Sequence, residues 1–368
     1  MLFQYGKAVS GNFFYDRNRA QAEVKKLLKS KQSFMLKAPR RYGKTSLIKQ
    51  VLSKNEIDYF YIDLRKIPRL ELFNEKLIDY IYSQVGIKGF LQKIKGNIIG
   101  FLREHKATIK INVELFEASV ELFTREDISE CERLVDALDM AERFANNLGR
   151  TFYIVMDEFQ DIKRHGCKKM DVLEMMRGVM QHHDSMCYIF LGSHMTMMTE
   201  IFENKKSPFF NFCRKINLKA FDIDEIADEL IDAFKTKQAV FENSNDLKAV
   251  LHRLKGHPAN TMMVMQNLEF AVDDMEVKLI SRADVEGAYQ SALEECTDLI
   301  GEYLREIQTK EHLHDVIYRI ASKEKQALDS KLIYQKFSLL EQMGYLQKVD
   351  RGKYEIIDGF LEDSLKEL

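Results

Sequence analysis

Apolar residues along this chain fall into two rhythms. Short continuous runs of strand length, at 34–36, 59–64, 152–156 and 187–191, alternate with stretches in which apolar positions recur every three or four residues. The first pattern predicts strands buried on both faces, the second helices with a single buried stripe. Helices are expected over 20–29, then after the first strand with Leu47, Ile48 and Val51 inward, over 131–148 up to Gly149, and over 170–183 with Val172, Leu173, Met176 and Val179 inward. Apolar strand, helix and apolar strand in that order indicate a parallel α/β sheet covered on both faces. Residues 66–150 form an insertion too long for a bare loop. Within it Ile109, Ile111, Val113 and Leu115 alternate with polar residues, as in an edge strand. A last short strand is expected at 216–218.

Beyond Phe221 the pattern is wholly helical to about Ile300, with Gly256 and Pro258 ending one helix and starting the next. Ile223, Ile226, Ala227, Leu230, Ile231 and Phe234 share one helix face, so the many acids between them are its solvated side. Residues 301–368 show one helical stripe through Leu313, Val316, Ile317 and Ile320 and a second through Leu332, Ile333, Phe337 and Leu340. Two short strands around a turn at 350–353 follow, and two helices with a hairpin are the skeleton of a winged helix. The expected organisation is a sheet domain at 1–220, a helical lid at 221–300 and a winged helix at 301–368.

Candidate chemistry gathers at the strand ends. Residues 33–49, SFMLKAPRRYGKTSLIK, read as strand, loop and helix. The loop Ala38, Pro39, Arg40, Arg41, Tyr42, Gly43 leads into Lys44, Thr45 and Ser46, the order of a phosphate-binding P-loop. Backbone N–H groups at a helix N-terminus wrap a polyphosphate, the lysine reaches its terminal phosphates and the threonine hydroxyl ligates magnesium. Ala38 stands where such loops favour glycine, and alanine takes positive φ less cheaply. The strand at 152–156 runs into Asp157 and Glu158, at the carboxyl edge where open α/β sheets place their ligands. One acid suits a magnesium shell and its neighbour the activation of water. The next strand ends at Gly192 and Ser193, whose hydroxyl is either a contact to the γ-phosphate or water, or the start of a turn. Arg214 is a candidate phosphate contact across a closing interface, or a surface arginine.

Composition narrows the class. An apolar share of 45% and a charged share of 30% belong to a globular chain. No apolar run nears the ~20 residues of a membrane span, and the first residues lack a signal-peptide core, so cytoplasmic residence without a membrane is expected. Five dispersed cysteines read as reduced thiols, and His182, His183, His312 and His314 as surface residues. Net charge is −2, yet residues 1–50 set twelve Lys and Arg against Asp16 and Glu23, a sector suited to a polyphosphate or a nucleic acid. Residues 301–368 carry 11 Lys and Arg against 13 Asp and Glu, which speaks against a wing that reads DNA.

FFYDR at 13–17, PRRYGKTSL, VMDEFQ, FLGS, GHP in the helical region and DGF after the hairpin give the chain a family likeness. It resembles the archaeal-type ATPases, within the AAA-like, signal-transducing (STAND) P-loop ATPases, over nearly its whole length. The resemblance implies ATP held where a P-loop domain, a helical lid and a winged helix meet. It implies that Lys44 grips the β and γ phosphates, Thr45 and Asp157 serve magnesium, and Glu158 is the general base. It further implies that Ser193 is a sensor, that Pro258 packs near adenine, and that Arg17 closes an adenine-side motif in which Asn18 replaces the usual acid. The expectation is a slow, partner-regulated ATPase that uses ATP and magnesium as a conformational switch and acts on an unnamed protein partner. The alternative is a DNA-transaction module, a loader or transposition helper, whose winged helix binds DNA.

Overall fold

The computed structural model describes residues 1–87, 128–167, 171–326, 329–350 and 352–367, and the strand expected at 109–115 lies outside them. Five parallel strands form the central sheet: β1 (Phe34–Lys37), β2 (Tyr59–Asp63), β3 (Phe152–Asp157), β4 (Met186–Gly192) and β5 (Arg214–Asn217). Their order is β2-β3-β4-β1-β5. Every residue of β1 and β4 is buried, as their unbroken apolar runs require.

Helices α1 (Asn18–Lys29) and α2 (Lys44–Lys54) cover one face, where Val24, Leu28, Leu47 and Val51 pack with Leu36, Val155 and Ile189. The opposite face is covered by α3 (Leu70–Ser83) and the helices Glu130–Asn147, Val172–Met180 and Met195–Glu203. Among the described residues, 66–150 contribute two helices to the main core, because their apolar stripes have the sheet face to bury against. Helix Glu130–Asn147 opens on a capping box of Ser129 and Glu132.

The cysteines depart from expectation. Cys131 and Cys167 form a disulfide with Cα atoms 6.0 Å apart, while Cys187, Cys213 and Cys296 are free thiols. Dispersal along the sequence carries no information about proximity once the chain after β3 returns to helix Glu130–Asn147. His183 also departs from its surface reading. Its side chain is buried, bonded to the Tyr188 hydroxyl at 2.6 Å and to Asp139 Oδ1 at 2.7 Å, and acts as a brace between elements. Among the described residues no three His, Cys, Asp or Glu side chains gather as a metal cluster.

Helices Ile223–Lys235, Ser244–Arg253, Pro258–Asp273 and Arg282–Glu295 follow, together with β6 (Val240–Phe241) and β7 (Leu279–Ile280) paired in parallel. This region is thus not wholly helical; two-residue strands are too short to leave a period of two in the sequence. Helices Thr297–Gln308, Leu313–Ala321 and Ser330–Met343 lead to an antiparallel hairpin of β8 (Leu346–Asp350) and β9 (Lys353–Ile356), and helix Gly359–Glu367 completes the described chain. One apolar cluster runs from Phe221 through Leu268 and Tyr289 to Leu365, and Phe3 from the N-terminal segment joins it. Among the described residues no helix is long and apolar enough to cross a membrane.

Candidate nucleotide-binding site

The strand order sets the carboxyl ends of β3, β4 and β1 side by side, and the P-loop rises from the last of them. Gly43 at φ 79° needs the left-handed region open to glycine, and Arg41 occupies it at φ 64°. Ala38 does not need it. The residue is fully buried, outside the positive-φ set, and its N–H donates to Gly192 O at 3.4 Å, so alanine satisfies this position.

Lys44 begins α2 and is only 6% exposed. Its Nζ donates to the loop carbonyls of Ala38 and Pro39, both at 3.0 Å. Burial lowers its pKa to about 8, against the pull of Glu158 and Asp157. Thr45 Oγ1 donates to Asp157 Oδ2 at 2.7 Å, and the Tyr61 hydroxyl donates to the same oxygen at 2.7 Å. The hydroxyl at the start of α2 and the carboxylate at the end of β3 are therefore in direct contact.

Glu158 follows Asp157 in the left-handed region, at φ 51° and ψ 48°. That conformation costs a residue with a Cβ about 1–2 kcal/mol. It turns the carboxylate towards the end of β4, where Oε2 accepts from Ser193 Oγ at 2.6 Å, Ser193 N–H at 3.0 Å and Gln160 Nε2 at 2.7 Å. The Arg65 guanidinium stands 3.7 Å from Oε1. Burial pushes the Glu158 pKa up, but the Gln160 and Ser193 hydrogen bonds and the charges of Lys44 and Arg65 outweigh it and leave the net shift downward. A Cβ on Gly192 would collide with Met198 Sδ and lie 2.7 Å from Gln160 Oε1, so any other residue here requires those side chains to shift.

These groups open onto a crevice of about 800 Å³ bordered by Arg40, Arg41, Lys49, Phe14, Met263 and Tyr303. Pro258 lines it as the first residue of helix Pro258–Asp273. His257 caps that helix by accepting from Asn260 N–H at 3.3 Å, and its ring meets Tyr42 edge-on at 5.1 Å. The N-terminal segment straps the crevice. Val9 N–H donates to Ser46 Oγ at 3.1 Å and Gly11 N–H to Gln50 Oε1 at 2.7 Å, while Leu2 N–H donates to buried Glu269 in the helical region.

Arg17 borders the crevice, but its guanidinium is committed elsewhere. It donates to Lys219 O, Ala220 O and Tyr42 O, and lies 4.7 Å over the Phe221 ring. Burial lowers its pKa to about 10. Arg17 is thus a brace between the P-loop and the segment entering the helical region. Arg214 is not brought to the site. It is exposed and opposite Phe34, at the amino end of β1, whereas the P-loop leaves the carboxyl end. Sequence reasoning missed Tyr61, Arg65 and Gln160. Tyr61 shares its run with Tyr59, so its hydroxyl carried no distinguishing signal, and all three residues reach the site through tertiary proximity.

Over residues 14–264 the chain matches the model of an ATPase domain predominantly from Archaea. No curated protein matches it. It is similar in structure to the Walker-type ATPase PABY2304 of Pyrococcus abyssi, at 18% identity and a TM-score of 0.68, with 100% of each chain covered. It is also similar to the ORC2 protein of Aeropyrum pernix, at 12% identity and a TM-score of 0.58, covering 96% of this chain and 93% of that one. At such identities the two structures speak for the fold, and the family match, which spans well over half the chain, speaks for kinship. A P-loop on a five-stranded parallel sheet, matched over that span, makes this chain a member of the family of ATPase domains found predominantly in Archaea.

Proposed function

We propose that the protein binds ATP with magnesium, hydrolyses it slowly, and uses the bound state to hold its helical and C-terminal regions against the sheet. The observation that carries this reading is the meeting of Lys44, Thr45, Asp157 and Glu158 in one crevice. The donor set fits the ligands. A buried lysine bonded only to carbonyls is matched to an anion, and one hydroxyl with one carboxylate suits magnesium, which keeps its waters and takes remaining ligands from phosphate. When bound, magnesium would neutralise charge developing on the phosphates.

In this reading Lys44 transfers its N–H donors from the loop carbonyls to phosphate oxygens, while Thr45 and Asp157 hold the ion. Glu158 is ionised at neutral pH and accepts the proton of an attacking water. Its Oε2 is occupied by three donors and its pKa is depressed, so the carboxylate must shed partners before it is an effective base. That supports slow turnover.

In this reading the C-terminal segment, taken as a winged helix, responds to the nucleotide, and its contacts near the P-loop support that. Ile357 is buried in the sheet-side cluster beside Ala38 and Tyr42, and Asn260 Nδ2 donates to Asp358 Oδ1 at 2.8 Å. A second cavity of about 200 Å³ lies between Arg40 and Arg41 of the P-loop and Tyr345 and Asp358 of the C-terminal region. ATP shifts that contact only as far as it prefers one arrangement over the other. The test is a pair of variants: Lys44→Ala loses ATP binding, and Glu158→Gln retains binding while phosphate release falls by about 10²–10⁴-fold. Full turnover by Glu158→Gln would remove that residue from its role.

A further inference from the structure

The twelve cations of residues 1–50 do not all serve the crevice. Arg17, Arg40, Arg41, Lys44 and Lys49 border it. Lys25, Lys26, Lys29 and Lys31 do not: α1 runs so that its C-terminal turn leads into the amino end of β1, away from the P-loop. Two further cations from other elements join them at that end. Lys54 closes α2, which packs against α1, and the Arg214 N–H donates to Ser33 O in the α1–β1 turn at 3.2 Å. All six side chains belong to exposed residues and, among the described residues, none makes an ion pair. Glu23, Glu56 and Asp58 are the acids on the same helices and turns, against six cations, which leaves the face net positive. Lys25, Lys26 and Lys29 line an open groove of about 470 Å³ with Ala22 and Ser30.

We propose that this face, opposite the nucleotide crevice, docks the phosphate backbone of duplex nucleic acid. The composition of the patch selects the partner. Protein interfaces are depleted in lysine and anchored by aromatics, and the groove has no aromatic residue. A membrane-surface helix presents large apolar side chains beside its lysines, whereas the apolar residues of α1, Val24, Leu27 and Leu28, are buried against the sheet. Lysines and an arginine on a polar surface, without apolar anchors, match a regular row of phosphates. This surface is separate from residues 301–368, whose overall acidic balance does not favour such contacts.

The full-length protein is titrated with labelled duplex DNA by fluorescence anisotropy across a salt series. Binding is expected to weaken steeply with salt. Lys25→Glu combined with Lys29→Glu is expected to lower the log–log salt slope by about 2, one unit for each phosphate no longer neutralised. ATP binding by the same variant should equal wild type, and Lys44→Ala should bind DNA like wild type; these controls separate failure of this surface from failure of the nucleotide site. No DNA binding at about 50 mM salt, an unchanged slope in the double variant, or binding to anionic lipid vesicles in place of DNA would overturn the proposal.

Discussion

Lys44 lends itself to a quantitative test, because its burial gives nucleotide binding a defined pH dependence. The side chain is 6% exposed and burial lowers its pKa to about 8. Phosphate oxygens favour the ammonium, so bound ATP restores the proton that the free protein loses above that value. Apparent affinity scales with the fraction protonated in the free protein, so it should fall about tenfold between pH 7 and pH 9 and the binding reaction should take up about half a proton at pH 8. Titration calorimetry in buffers of different ionisation enthalpy measures both. Lys44→Arg, which keeps its charge over this range, should bind with little pH dependence. The sign for stability runs the other way. The folded pKa lies below the unfolded one, so the unfolded chain binds more protons between about pH 8 and pH 10, and the stability of the nucleotide-free protein rises across that window. Below it the buried ammonium is a standing penalty of about 3 kcal/mol, and Lys44→Met should raise stability at pH 7 while abolishing ATP binding. Affinity that stays flat from pH 7 to pH 9, or a slope that survives in Lys44→Arg, would refute the reasoning.

Three other substitutions test particular contacts. Ser193→Ala removes the hydroxyl that holds Glu158 Oε2 at 2.6 Å; the Glu158 pKa should rise, so the acid limb of the kcat–pH profile should move to higher pH, and an unmoved limb would separate the two residues. Arg17→Ala strands three carbonyl acceptors and a ring contact, for an expected loss of about 3 kcal/mol by urea denaturation, where a change under 1 kcal/mol would show the brace to be dispensable. Cys131→Ser opens the disulfide to Cys167 and should lower stability by about 2–4 kcal/mol; reductant should do the same to wild type and nothing further to the variant.

Much of the fold was legible because its signals are local. Continuous apolar runs gave β1 to β4, and an acid pair at the end of one run with GKT at the end of another located the crevice. What escaped was set by tertiary proximity. Cys131 and Cys167 carry no spacing signature, and the strap formed by residues 2–11 has no period of its own, since its order comes from Glu269, Ser46 and Gln50 on distant helices. Of the two readings of Arg214, its position fits the surface arginine, and the sequence could not choose between them because a cation near a strand reveals nothing about which end of that strand it occupies. Only the pairing of Arg214 with Phe34 fixes it at the edge remote from the loop. Conversely, the doubt attached to Ala38 dissolves in the structure, because glycine was expected for a conformation this loop adopts at Gly43.

The left-handed residues show how the site is joined to the rest of the molecule. Arg17, Arg41 and Glu158 each accept positive φ in a residue with a Cβ, a strain of about 1–2 kcal/mol apiece that surrounding contacts must offset. At Arg17 the offset comes from carbonyls on both sides of the junction, Tyr42 in the loop and Lys219 and Ala220 before the helical region. At Glu158 it comes from Ser193 on β4 and Gln160. A ligand that moves Tyr42 or draws Glu158 out of its cage alters the balance at these positions directly, without any need for a path through the packed core. Gly256 extends the same linkage. It sits at φ 61° with no room for a Cβ, which would lie 2.6 Å from Phe221 O, so the segment braced by Arg17 is pressed against the turn that presents Pro258 to the crevice. Loop, junction and helical region therefore meet at these left-handed positions, which is where the proposed coupling between nucleotide and helical region would act.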